Sequence, residues 1–322
     1  MVCITVGGVS VANAQNDSAH GIKFSGYVDA YYAHYSDSVG AGKFQKFGAI
    51  SPISDNFGVN IAQLTANYNS KRIRATVTLQ AGDLPRAAWS PVYNYIQEAN
   101  AGVRLAKNLW VDAGFFKTHI GTESLLPKDN ICSSVSIITF YEPWWQSGVR
   151  LTYTPSDKFT GALYVVNGYN QFVAINKKKA AGLALTYNIS DRFSIGYYNL
   201  LSDDTPDSIS ISHWRLLNNV VINIDITKKL KLQAGVDYIV QEHSDISYIP
   251  GYTDYSTAFA NSGIVTLRYQ WFKKLAVYGR YEVLNDQMGI ITSPNNYDAN
   301  NPAFHIMGGT LGIEYKPTES SY

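Results

Sequence analysis

The stretch Gly148-Val149-Arg150-Leu151-Thr152-Tyr153-Thr154-Pro155-Ser156-Asp157-Lys158-Phe159-Thr160-Gly161-Ala162-Leu163-Tyr164-Val165-Val166 decides the fold. Read in steps of two, Val149, Leu151 and Tyr153 share one side, and Arg150 and Thr152 share the other. A β-strand turns its side chains over at every residue, so this is a strand with one apolar and one polar face. Thr-Pro-Ser-Asp-Lys supplies the residues of a short turn, and a second strand follows at once.

The same unit recurs. Ala62 to Leu79 places Asn-Ser-Lys between two alternating runs, and Ala181 to Tyr198 does so around Asn-Ile-Ser-Asp. Val265 to Val277 turns at Phe-Lys-Lys, and Leu311 to Tyr315 leads into Lys-Pro-Thr-Glu. In these five copies a tyrosine on the apolar side closes the strand before the turn: Tyr68, Tyr153, Tyr187, Tyr269 and Tyr315. A soluble sandwich has no reason to repeat an aromatic at one height. A transmembrane barrel has one, because aromatic rings settle at the lipid–water boundary.

Composition agrees. The 322 residues include 24 Tyr and 25 Gly but only 3 Met and 2 Cys, and carry a net charge of +1. A balance so near neutral gives no support to nucleic-acid binding. No run approaches the roughly 20 apolar residues of a membrane helix. Alternating barrel strands average out in such a search, so the membrane is not excluded.

Val2 to Val11 is small and apolar, and Ala12-Asn13-Ala14 fits a cleavage site before Gln15. Residues 1–14 therefore read as a secretory signal, 15–22 as a short N-terminal segment and 23–322 as the barrel. No Lys or Arg precedes the apolar run, which suggests a start shorter than the natural one; the competing reading is an N-terminal strand. Cys3 leaves with the signal and lacks a lipoprotein context. Cys132 alone makes no intramolecular disulfide and no metal cluster, so neither metal nor cofactor is expected.

Taken in order, strands of about ten residues alternate with short turns and long polar loops. The long connections fall near 36–56, 83–91, 118–146, 167–179, 201–211, 243–257 and 285–302. No segment of ten or more residues holds a helical period. Alternate short and long connections are the signature of an all-β, up-and-down antiparallel transmembrane barrel. The count is fourteen strands. Lys316 to Tyr322 reads as a turn toward another strand, so a C-terminally truncated chain of a sixteen-stranded barrel is expected.

With the apolar side on lipid, the other side lines a lumen. It carries Arg72, Arg74, Arg104, Arg150, Lys231, Arg268 and Arg280, and Glu98, Asp112, Asp225, Asp237, Glu282 and Glu314. An arginine facing hydrocarbon at the midplane costs about 2–4 kcal/mol, whereas a water-filled interior accepts it. The signs nearly balance, so neither anion nor cation selectivity follows. Pairing that braces the wall is an equal alternative, and segregation onto opposite walls would create a transverse field. Trp110 and Tyr278 point inward, as sugar-stacking platforms or, more simply, as packing residues.

An order of motifs resembles the OmpL-like β-barrel porin family of Gram-negative outer membranes. Ala113-Gly114-Phe115-Phe116-Lys117-Thr118-His119-Ile120-Gly121-Thr122-Glu123 is similar to the family's central motif. Tyr141-Glu142-Pro143, Gly148 to Tyr153, Val165-Val166-Asn167-Gly168 and Gly279-Arg280-Tyr281-Glu282 follow in sequence, after the opening Ser25 to Tyr32. Phe116 stands where the pattern has Lys, and Lys117 comes one place later. The resemblance covers nearly the whole chain after the signal and implies a porin-like channel, not an enzyme.

The expected function is passive diffusion of small polar solutes or ions. The partners are outer-membrane lipids, and the barrel-assembly machinery during insertion. The long segment Thr118 to Gln146 is the candidate constriction, with Glu123, Lys128 and Glu142 lining it; the plainer alternative anchors Trp144 and Trp145 at the outer interface. Other readings are a substrate-selective channel or an adhesin that presents Tyr248, Tyr252 and Tyr255 on outer loops. A barrel enzyme needs a nucleophile, a base and an orienting group. The six histidines are scattered, and neither a G-x-S-x-G nor an H-E-x-x-H run occurs. A soluble all-β protein would instead show a broadly polar outer face.

Overall fold

A computed structural model describes residues 2–6, 21–37, 39–46, 48–245, 256–292, 304–318 and 321. Fourteen strands follow from the alternation: β2 (Ile22–His34), β3 (Asn56–Asn69), β4 (Ile73–Ala81), β5 (Ile96–Ala106), β6 (Leu109–Lys117), β7 (Trp145–Ser156), β8 (Phe159–Val166), β9 (Ala180–Ser190), β10 (Phe193–Ser202), β11 (Arg215–Asp225), β12 (Leu230–Asp245), β13 (Ser256–Phe272), β14 (Leu275–Asp286) and β15 (Phe304–Tyr315). A further strand, β1 (Val2–Val6), precedes them. Each is hydrogen-bonded to its neighbours in the chain, all antiparallel, in one sheet ordered β1 to β15. This is the up-and-down order expected from alternating short turns and long loops. Among the described residues no pairing joins β15 to β1 or β2, so the sheet is not closed. Among the described residues it holds fifteen strands.

β1 lies within the stretch expected to be a secretory signal. It pairs with the Ala30–His34 end of β2. Tyr248, Tyr252 and Tyr255 lie outside the described residues.

The outward side is apolar and bare. Leu163 and Val165 are each 57% exposed, and Leu311 is 91% exposed, as are parts of every neighbouring strand. A soluble surface rarely presents so continuous an apolar band. A barrel wall facing lipid must present one. Tyr153, Tyr187, Tyr269 and Tyr315 are exposed on this side beside the short turns, and Tyr68 is half-buried there.

Two short helices and one 3₁₀ turn interrupt the connections. α1 (Asp83–Ala88) occupies a segment expected as plain loop, and Leu84 is buried in it. The connection between β6 and β7 holds a 3₁₀ turn (Pro127–Asp129) and α2 (Ile137–Tyr141). Trp89, Trp144, Trp145 and Phe172 pack together near this connection, with Trp89 and Trp145 ring centroids 4.6 Å apart. Trp144 and Trp145 are therefore packing residues with little exposure, not interface anchors.

Candidate functional site

The connection from Thr118 to Trp144 runs across the inward side of the sheet rather than away from it. Its bonds show the path. His119 stacks on Tyr164 at 3.9 Å, and its two ring nitrogens meet Gln146 and the carbonyl of Asn199 at 3.1 and 2.8 Å. Gly121 N–H donates to Asn219 on β11. Ser133 Oγ lies 2.8 Å from the Tyr278 hydroxyl on β14. The N–H of Ile137 donates to Glu282. The segment leaves β6 and reaches the inward faces of β10, β11 and β14 in turn.

Arg280 is the strongest of these anchors. Its Nη1 donates to Glu123 at 2.9 Å and to the carbonyl of Ser134 at 2.8 Å; its Nη2 donates to the carbonyl of Val135 at 2.8 Å and to Glu282 at 3.3 Å. The Arg280 side chain is 2% exposed and that of Glu123 is 1% exposed. Both ions are out of water, so each depends on the other. Glu142, at the end of α2, is buried beside Asp237 on β12, whose carboxylate also accepts from Asn219 and Ser262. Burial, reinforced by the Asp237 charge, pushes the Glu142 carboxyl well above the ordinary glutamate range. The Glu142 carboxyl thus lies enclosed between the connection and β12, close to the Asp237 carboxylate. Burial likewise lowers the basicity of His119 and pushes the Cys132 thiol up to about 12.

Glu123 and Glu142 are thus enclosed between connection and wall. Lys128 is exposed, with its Nζ 4.9 Å from the Tyr27 ring centroid. Tyr278 is bound to the connection through Ser133 and is no open platform. Trp110 lies under Arg74 at 4.6 Å.

The remaining inward charges meet opposite charges near them. Lys117 lies 3.6 Å from Glu98, Lys231 3.4 Å from Asp225, and Arg268 2.6 Å from Glu314. In these pairs the signs are matched locally. Arg72 sits in the β3–β4 turn, outside the strands, and Arg104 bonds the carbonyls of Lys71 and Ala106 at that same end. These two belong to the short-turn rim, because the alternation continues past the last paired residue while the wall does not.

One row escaped the sequence reading. Arg74, Gly102, Asp112, Arg150, Tyr164 and Gly182 face each other across six successive strands. Gly102 has no side chain to block Arg74, which reaches over β5 to Asp112 at 2.6 Å. Arg150 bonds the same carboxylate from the other side at 3.2 Å. Hairpin registers carry part of this signal: counting back from the short turns brings Gly102 opposite Asp112 and Arg150 opposite Tyr164, whereas Asp112 and Arg150 meet across the long β6–β7 connection, where no such count applies. Under the connection, this row borders a cavity of about 670 Å³ that Thr152, Thr186 and Tyr198 also line.

The chain matches the beta-barrel porin-2, OmpL-like family over residues 21–321. It belongs to that family. Among solved structures it is similar to a porin refined at 1.8 Å, at 9% identity over 99% of this chain and 91% of that one, with a TM-score of 0.50. It also resembles the anion-selective porin of Comamonas acidovorans, at 9% identity over 98% and 99% with a TM-score of 0.49. A third likeness is to the channel DcaP of Acinetobacter baumannii, at 10% identity over 97% and 96% with a TM-score of 0.44. No curated protein matches the chain. Family and fold make this OmpL-like protein an outer-membrane porin channel of a Gram-negative bacterium, surrounded by lipid and open to the passage of solutes.

Proposed function

We propose that this porin lets small polar solutes diffuse passively through a water-filled, mixed-charge lumen narrowed by the Thr118–Trp144 connection. The observation that carries this reading is the path of that segment across the interior, pinned on β14 by Arg280 and on β12 through Glu142. Beside it lies a cavity of mixed character, bordered by Arg74, Arg150 and several threonines. Local pairing of charges favours general permeability over strong ion selectivity, because paired ions present little net field.

The reading includes removal of residues 1–14 as a secretory signal, which frees the Ala30–His34 edge of β2 that β1 covers. Conductance of the refolded protein in planar bilayers, over several salts and pH values, tests it. Stable ohmic steps with weak cation–anion preference are expected. A protein that inserts but never conducts overturns the reading. Liposome swelling with a series of neutral solutes then gives the size limit.

A further inference from the structure

In the Arg74–Asp112–Arg150 row one buried carboxylate is shared by two guanidiniums that face the cavity. Elsewhere Arg268 and Lys316 share Glu314 at the short-turn end of β15, and Arg280 meets two acids. Here two guanidiniums share a single carboxylate, which leaves one positive charge uncompensated. Asp112 is fully enclosed between them, with a side-chain exposure of 0%. The arginines are not enclosed: Arg74 is 31% and Arg150 26% exposed, and both border the cavity.

The geometry leaves both cations prepared to bind. Each uses Nε and Nη2 on Asp112, so Nη1 of each lies outside that bond. Each guanidinium is also held on an aromatic face, Arg74 over Trp110 at 4.6 Å and Arg150 over Phe116 at 4.8 Å. A guanidinium fixed by a carboxylate edge and a ring face loses little freedom when a further ligand arrives. Planar guanidinium donors suit carboxylate and phosphate oxygens above other ligands.

We infer that Arg74 and Arg150 form a binding station for a small oxyanion, a carboxylate or a phosphate, within the solute path below the connection. This deepens the channel reading and rests on it for its place in transport. Asp112 aligns the two arginines and does not touch the anion. Gly102 is part of the device, because any side chain there would strike the Asp112 carboxylate.

Binding is measured on the intact, detergent-solubilised protein by calorimetry, with malonate and inorganic phosphate as separate probes. Fluorescence of Trp110 is the local readout, with Trp110→Phe as its blank. Saturable binding that weakens with salt is expected from at least one probe, and the stronger of the two assigns the oxyanion class. Arg74→Gln and Arg150→Gln should each weaken it roughly tenfold or more. Arg150→Lys, which keeps the charge and loses the fork, should fall between. Arg268→Gln, on a pair elsewhere in the sheet, should leave binding unchanged and serves as a control for folding. Absence of saturable binding, or an affinity in both glutamine variants equal to that of the unaltered protein, overturns the station. Conductance separates the two claims: a conducting protein without saturable binding removes the station alone, and a binding protein without conductance removes the channel reading alone.

Discussion

Glu142 is the residue whose ionisation matters most to how the inner connection is held. Its folded-state carboxyl titrates above the ordinary glutamate value of 4.5, because burial and Asp237 both oppose its charge. For an acid shifted upward, the folded state is favoured fully below the ordinary value and loses that advantage as pH rises toward the folded-state value. The thermal midpoint should therefore fall as pH is raised from 5 to 8. Glu142→Gln, neutral at every pH, should flatten that fall by about 2 °C or more, the effect of ~1 kcal/mol in a chain of this size. Melting curves by circular dichroism at the two pH values decide it; an unchanged slope in the variant removes Glu142 as the cause. Nothing in the sequence marked Glu142 as enclosed. Its neighbours Pro143 and Trp144 read equally well as the start of a strand, and the acid that opposes it lies on β12, far along the chain.

At the level of single strands, the two faces make opposite demands. Leu163, in the middle of β8, faces lipid, whereas Thr152 on β7 faces the cavity. Leu163→Arg should cost about 2–4 kcal/mol of folding into vesicles, and Thr152→Arg much less. Urea midpoints for the two variants test this, and equal losses would contradict the assignment of faces. Gly114 sits at φ +130°, with the carbonyl of Ala99 where a side chain would go. Gly114→Ala should therefore destabilise the β5–β6 hairpin by about 1–3 kcal/mol, read by the same urea titration. The strands themselves were legible because alternation depends only on residues near in sequence. Val149 and Arg150 declare their sides whatever stands next to them. Rows across strands were not read so easily, since each depends on turn length and on bulges such as that between Thr78 and Leu79. The same limit hid the sharing of Asp112, although all three of its members were individually read as inward.

For the molecule as a whole, the connection and the wall behave as separable parts. Every described strand pairs only with its neighbours, so no strand pairing runs through the connection. Arg280→Met leaves Glu123 and Glu282 enclosed without a cation, a loss of about 3–5 kcal/mol from the docked arrangement. The variant should still fold into membranes, but with a larger and noisier single-channel conductance. Planar-bilayer recording gives the answer, and wild-type conductance in a folded Arg280→Met protein would show that the connection does not narrow the path. The sequence was sufficient to nominate Thr118–Gln146 as the irregular part, yet its course could not be read there. Each of its anchors joins residues that periodicity cannot relate.

Those anchors also make the latch depend on a distant strand. The contact between Glu123 and Arg280 spans 157 positions, and that between Ile137 and Glu282 spans 145. Whichever hairpin forms first, the bolt has no socket until β14 is in place. A wall lacking β14 would therefore carry the connection unlatched.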